Sequence, residues 1–446
     1  MGHEMAELTT LEGGLRIVSV EMPHMASESL GLWVGVGGRH EPEALGGVSH
    51  FIEHMLFKGT RRRSSLQLSQ AVEGVGGYLN AFTTEENTCF YSKACHDRVE
   101  ELWDVLADML LNSKFEPGEL EKERNVIKEE ISSYLDQPHQ LVQEMLNEAM
   151  WPNHPLGRAL TGTVKTLDAM KRRDMKGYLR RHYVAPCTVV AAAGPLRHAE
   201  IVKLVKKQAG RFPRGKVARF EPIPAASDRP WVYVKRRPTE QTQISLGMRT
   251  CSRHDPRRFA LRLMNTVLGE NMSSRLFQVV REEKGLAYSI YSGVTAFEDT
   301  GVLAVSAGVE TARGGEALSL ILKEMETLRQ KGPSQAEVRR ARDYLIGQLE
   351  LSLENTESQM MWAGENMLGY GVNLSAGMIK DALRAVNLAG VRAVGDEFLQ
   401  RSRMSLSVVS PERSAQGWAK LLGPNSLVFS GSADGKGRSR RKGLKV

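Results

Sequence analysis

Two histidines four residues apart, His50 and His54 in "GVSHFIEHMLFKGT", are the first residues here whose types and spacing suggest chemistry. On a helix turning 100° per residue, His54 lies about 40° from His50, and Glu53 lies about 60° away on the other flank. Phe51, Ile52, Met55 and Leu56 cover the opposite arc. Histidines at i and i+4 can grip one ion from a single face. A surface helix with two incidental histidines looks the same locally, so the choice depends on a third ligand elsewhere.

The segment "PGELEKERNVIKEEISSYL" (117–135) offers one. Taking Leu120 as the origin of its apolar stripe, Ile127, Ile131 and Tyr134 fall within about 40° of it. Glu123 falls at about 300° and Glu130 at about 280°, at the margin of the buried arc, whereas Glu129 points to about 180°, toward solvent. Carboxylates at a core margin are costly unless positive charge meets them.

The elements that must carry these residues occur twice. "SLGLWVGVGGRHEP" (29–42) resembles "SLGMRTCSRHDP" (245–256), with Arg-His-acid-Pro falling 214 residues apart. The segment 115–133 lines up with 332–352, and "RFPRGKVARFEPIPAASDRP" between the halves reads as a linker. Strands are expected at "LRIVSVEM", "LGLWVGVG", "NTCFYSKA", "PWVYVKR", "QTQISLGM" and "GVLAVSAGV". Long helices are expected over 97–112, 117–135 and 314–330. Strands cluster and helices cluster, which points to an α+β protein of two homologous domains, each a mainly antiparallel sheet packed with helices. The expected division is 1–215, a linker at 216–229, 230–430 and a basic disordered tail at 431–446. The glycines of "GVGGRHEPEALGG" read as a turn, since no Gly-Lys-Ser follows for a phosphate loop.

The second copy tests the meaning of the first. Its segment "RFALRLMNTVLGE" has no histidine, and Ala341 and Gln348 stand where Glu123 and Glu130 stand in the first half. One cation accounts for both losses. His50, His54 and Glu130 form a zinc ligand set with a position left for water. Glu123 suits holding a ligand histidine in place, and Glu53 sits where it takes a proton from water at the ion.

Composition bounds the rest. The 446 residues are 41% apolar and 25% charged, with four scattered cysteines that lack zinc-finger spacing, so a reducing, cytoplasmic setting is expected. The N-terminal residues show neither a signal nor a transit pattern, and no run is apolar enough to span a membrane. Part of the net charge of +8 sits in "GSADGKGRSRRKGLKV", read as a solvated end with no nucleic-acid partner implied.

"HFIEHMLFKGT", followed 76 positions after His54 by Glu130 in "ERNVIKEEI", resembles the inverted-zincin peptidases, a group that includes pitrilysin, insulysin and the mitochondrial processing peptidase. "GGYLNAFTTEENTCFYS" resembles the family's substrate-edge strand, and "NMSSRLFQVVREEKGLAYSIYS" its second-half segment. The resemblance implies zinc at His50, His54 and Glu130, with Glu53 as general base and Glu123 supporting a histidine. It also implies that Asn80 and Ala81 touch the peptide backbone, and that Arg281 and Tyr288 reach the scissile region from the C-terminal domain. It implies an endopeptidase acting on unfolded peptides in the half-length class, where two chains pair around a chamber. The pair would be a homodimer or a heterodimer with an inactive homologue. The long Gly-rich loop of the noncatalytic processing subunit is absent, with "LGENMSSR" in its place. Two other readings stay open: a noncatalytic scaffold subunit, and a zinc-binding chaperone that holds peptides uncut.

Overall fold

The computed structural model describes residues 6–224, 230–412, 415–423 and 426–430. The expected tail at 431–446 and linker residues 225–229 lie outside them. The protein is α+β and forms two compact units. One comprises residues up to Ser132 with 158–221 and 349–379; the other comprises 133–157, 222–348 and the residues from Lys380 on. The units are therefore not the two contiguous stretches that a single cut at the linker implies.

The first unit is built on strands β1 (Glu7–Thr10), β2 (Arg16–Glu21), β3 (Ser27–Val34), β4 (Tyr78–Thr83), β5 (Thr88–Cys95) and β6 (Thr188–Gly194). Their order is β1-β2-β6-β3-β5-β4, antiparallel except for the parallel pair β2–β6. Both faces are covered. Ile17, Leu30, Leu32, Phe90 and Val190 enter the main core, while Val18, Val20, Trp33 and Val189 pack under Met360, Ala363 and Met367 of helix Thr356–Gly369. Strands buried on two faces read as nearly continuous apolar runs, as "RIVSV" and "TVVAAAG" do.

The second unit repeats the plan with β7 (Trp231–Arg236), β8 (Gln241–Thr250), β9 (Ala287–Ala296), β10 (Gly301–Glu310), β11 (Met404–Ser410) and β12 (Leu427–Ser430). Its order, β12-β7-β11-β8-β10-β9, matches the first sheet over five strands; only the outer strand differs, β12 running parallel to β7. The pair β7–β11 is also parallel, and the remaining pairs are antiparallel. Helix Pro138–Met150 packs on β8 and β11.

This arrangement explains the repeated Ser-Leu-Gly. A Cβ on Gly31 in β3 would strike Met360 Sδ, and a Cβ on Gly247 in β8 would strike Met150 Sδ. Each glycine leaves room for a methionine of the helix laid across its sheet. The repeated Arg-His-acid-Pro also has a local structural role in each unit. Glu41 accepts backbone N–H bonds from Gly47 and Ser49 at 2.7 Å each, at the start of helix Val48–Leu56, the histidine helix. Asp255 accepts from the Arg257 N–H at 2.8 Å, at the start of helix Arg258–Asn265. Gly47 begins the histidine helix with φ of 91°, a left-handed conformation that suits glycine.

Candidate metal centre

The histidine helix is anchored by burying Val48, Phe51, Ile52, Met55 and Leu56 in the main core, which turns His50 and His54 toward its half-buried side. Their ring centroids lie 4.6 Å apart. Helix Pro117–Leu135, the glutamate helix, buries Leu120, Glu123 and Ile127 and leaves Glu129 exposed. It brings Glu130 Oε2 to 3.9 Å from His50 Nε2 and Glu130 Oε1 to 3.7 Å from His54 Nε2. One donor atom from each of the three residues lies within 4.8 Å of the others, the only such set among the described residues. Tetrahedral zinc with bonds near 2.1 Å spaces its donors about 3.4 Å apart. A small contraction of these side chains would close the set around an ion, and two imidazoles with a carboxylate are donors zinc accepts.

The protonation chemistry agrees with that fit. Burial, then the neighbouring His54, pushes the His50 imidazole down to about 4, so the ring is neutral near pH 7 and keeps a lone pair for a metal. His50 Nδ1 is buried with no hydrogen-bond partner among the described residues. His54 differs, because its Nδ1 lies 3.1 Å from Glu123 Oε2. With Nδ1–H donating to that carboxylate, Nε2 faces Glu130 as an acceptor.

Glu53 leaves the same helix beside the histidines, and its Oε2 accepts from Thr83 Oγ1 at 2.5 Å. Burial raises its carboxyl above the ordinary range, opposed by the Thr83 hydroxyl and by His54. Thr83 ends β4, an edge strand of the first sheet among the described residues. On that strand Leu79 and Ala81 pack into the main core beneath the histidine helix, and Thr83 shares their face. Asn80 shares the opposite face with Phe82, which packs against Trp33 and Tyr91. The Asn80 side chain accepts the Ala81 N–H at 2.8 Å, so it occupies a backbone donor of the edge strand.

In the second unit Arg281 lies in a π-helical segment, Phe277–Glu283, with its guanidinium 4.7 Å over the Phe277 ring. Tyr288 stands on the edge strand β9 with 76% of its surface exposed. At the 214-residue offset, Met264, Val267 and Leu268 replace His50, Glu53 and His54, and all three are buried. Sequence reasoning passed over Thr83. The only hint of it is strand alternation, which places it on the side of Ala81.

The profile of the family described as Insulinase (Peptidase family M16) matches residues 16–164, and that of the Peptidase M16 inactive domain matches residues 169–345. An uncharacterized zinc protease of Streptomyces coelicolor is 37% identical, over 92% of this chain and 90% of that protein. A probable mitochondrial-processing peptidase subunit beta of Arabidopsis thaliana is 30% identical, over 91% of this chain and 78% of that protein. The crystal structure of a peptidase M16 inactive domain from Pseudomonas fluorescens shares the fold, with a TM-score of 0.85, 20% identity and coverage of 92% of this chain and 99% of that one. Two sheets that match in strand order over five strands go with two successive profile matches along the chain. The chain is a member of peptidase family M16.

Proposed function

We propose that this protein is a zinc-dependent endopeptidase of the inverted-zincin kind that hydrolyses unfolded or short polypeptides. The observation that carries the reading is the convergence of His50, His54 and Glu130 from two helices, with Glu53 beside them and hydrogen-bonded to the edge strand. His50, His54 and Glu130 would hold the zinc. Bound there, zinc would polarise a peptide carbonyl and acidify water.

The chain's own residues supply the remaining steps. An extended peptide adds to the free edge of β4, where backbone hydrogen bonds hold it, and Asn80 releases the Ala81 N–H to receive it. Glu53 takes the proton of the attacking water and delivers it to the departing amine. Arg281 and Tyr288 act on the scissile region, Tyr288 as a phenol donor to the developing oxyanion. In a homodimer with two sites, this pair comes from the partner subunit. The four free cysteines, three of them buried, fit a reducing cytoplasmic setting. Among the described residues, no helix is long and apolar enough to cross a membrane. A second reading, a noncatalytic or partner-dependent subunit that binds peptides or scaffolds a complex, draws on the likeness to a relative named as a subunit.

The test is cleavage of a mixed library of unstructured peptides followed by mass spectrometry. Cutting that a chelator abolishes and added zinc restores is expected. A zinc-loaded protein that cuts nothing would favour the second reading.

A further inference from the structure

We infer that Lys58 is a positioning residue for the metal centre: together with His54 it clamps the two oxygens of Glu123, and this clamp aims His54 Nε2 at the site. The inference rests on the zinc reading above. Glu123 is only 5% exposed. Its Oε1 forms an ion pair with Lys58 Nζ at 2.8 Å and its Oε2 faces His54 Nδ1 at 3.1 Å. The terminal torsion of a glutamate is soft and broad. A single donor would leave the carboxylate plane free to turn, and the imidazole with it. Contacts on both oxygens, the Lys58 ammonium on one and the His54 ring on the other, hold that plane.

The two groups also come from one stretch of chain. Lys58 lies two residues past the end of the histidine helix, with its backbone N–H on the Met55 carbonyl at 3.1 Å. The Glu123 carboxylate therefore ties the end of the histidine helix at two points to the glutamate helix, which carries Glu130 two turns further on. The same tie sets the separation of the helices and so the spacing of the donors. His50 has no comparable support, since its Nδ1 lacks a partner among the described residues. His54 is thus the ring whose aim depends on side-chain contacts. Glu119 nearby has the Lys122 ammonium at 2.7 Å and feels Lys58 only as a weaker, more distant charge. Without Lys58, the buried Glu123 would keep only the His54 ring at hydrogen-bond distance and no ammonium beside it, a costly arrangement for a carboxylate out of water.

The experiment measures zinc dissociation constants by competition with a chromophoric chelator at one pH, for wild type, Lys58→Met, Glu123→Gln, the double variant and Lys58→Arg. Circular dichroism verifies each fold, and Lys58→Gln takes the place of Lys58→Met if the latter misfolds. Removing a residue that orients a ligand costs about 10–100-fold in metal affinity. Lys58→Met is expected to weaken zinc about tenfold, and Lys58→Arg to restore most of that. The double variant is expected to match Glu123→Gln alone, because Lys58 acts only through that carboxylate. A general structural role would instead add to the Glu123→Gln loss. Wild-type affinity in Lys58→Met, or additive losses, would overturn the inference while leaving the zinc reading intact. A wild type that binds no zinc would overturn both.

Discussion

Replacing Thr83 with valine removes one hydroxyl and keeps the shape of the side chain, so it isolates the bond to the proposed base. That bond is 2.5 Å long and ends on Glu53 Oε2. A hydrogen bond to a charged group contributes about 1.5–3 kcal/mol, which sets a ceiling of about 10–150-fold on the rate if the whole of it served the transition state. Two effects oppose each other. The hydroxyl fixes the orientation of the carboxylate, and losing it spreads Glu53 over unproductive rotamers. The hydroxyl also stabilises the charged form, so losing it makes the carboxylate a readier proton acceptor. The net expectation is the lower end, about tenfold in kcat with KM little changed, since the interaction serves the chemical step more than binding. Thr83→Ser should recover most of the rate. Steady-state kinetics on a quenched unstructured peptide gives both constants, with zinc content measured alongside. Thr83 touches no metal donor, so zinc should stay at the wild-type level. A kcat within twofold of wild type, or a loss confined to KM, would refute the assignment of Thr83 to the base.

Other expectations follow from particular contacts. Glu130→Gln should weaken zinc binding and Glu129→Gln should not, because Glu129 is exposed on the other side of the helix; equal losses by chelator competition would refute this. Gly31→Ala should cost about 1–3 kcal/mol in urea denaturation, because the new Cβ would lie 2.9 Å from Trp33 Nε1 and closer still to Met360 Sδ. Met360→Ala in the same chain should cost less than the sum of the two single changes, and strict additivity would contradict the packing argument. Burial first, then Glu148 against an opposing Lys235, pushes Glu144 from 4.5 to about 7. The folded state then holds that proton more tightly than the unfolded chain, so stability should fall by about 1–3 kcal/mol as pH rises from 4.5 to 7 and level off above. Glu144→Gln should flatten that fall, and an unchanged pH slope would count against it.

Much of the fold was legible because its signals are local. Apolar alternation marked strands such as "PWVYVKR" and "GVLAVSAGV" to within a residue or so of their observed ends. Helix phase alone separated the exposed Glu129 from the buried Glu123 and the half-buried Glu130. Signals that depend on partners were not legible. The periodicity of helices Pro138–Met150 and Thr356–Gly369 shows an apolar face but not which sheet it covers, so a division at 216–229 leaves each with its neighbours in sequence. In the fold, each helix belongs to the unit built mainly from the other half of the chain. The helix matched to "HFIEH" continues past Asn265 as a π-helical turn, Thr266–Glu270, a change of hydrogen-bond ladder that residue pattern does not encode. Thr83 and Lys58 escaped because their roles rest on contacts 30 and 65 residues away in sequence.

The measurement that bears most directly on the central claim is the comparison of wild type with Glu53→Gln, zinc content and peptide cleavage being determined on the same samples. Glu53 is no metal donor in this arrangement, so the variant should hold zinc as fully as wild type. Its cleavage rate should fall by about three decades, because a positioned general base contributes about 10²–10⁴-fold and its carboxylate also places the water. A fully zinc-loaded Glu53→Gln that cuts at the wild-type rate would contradict the account.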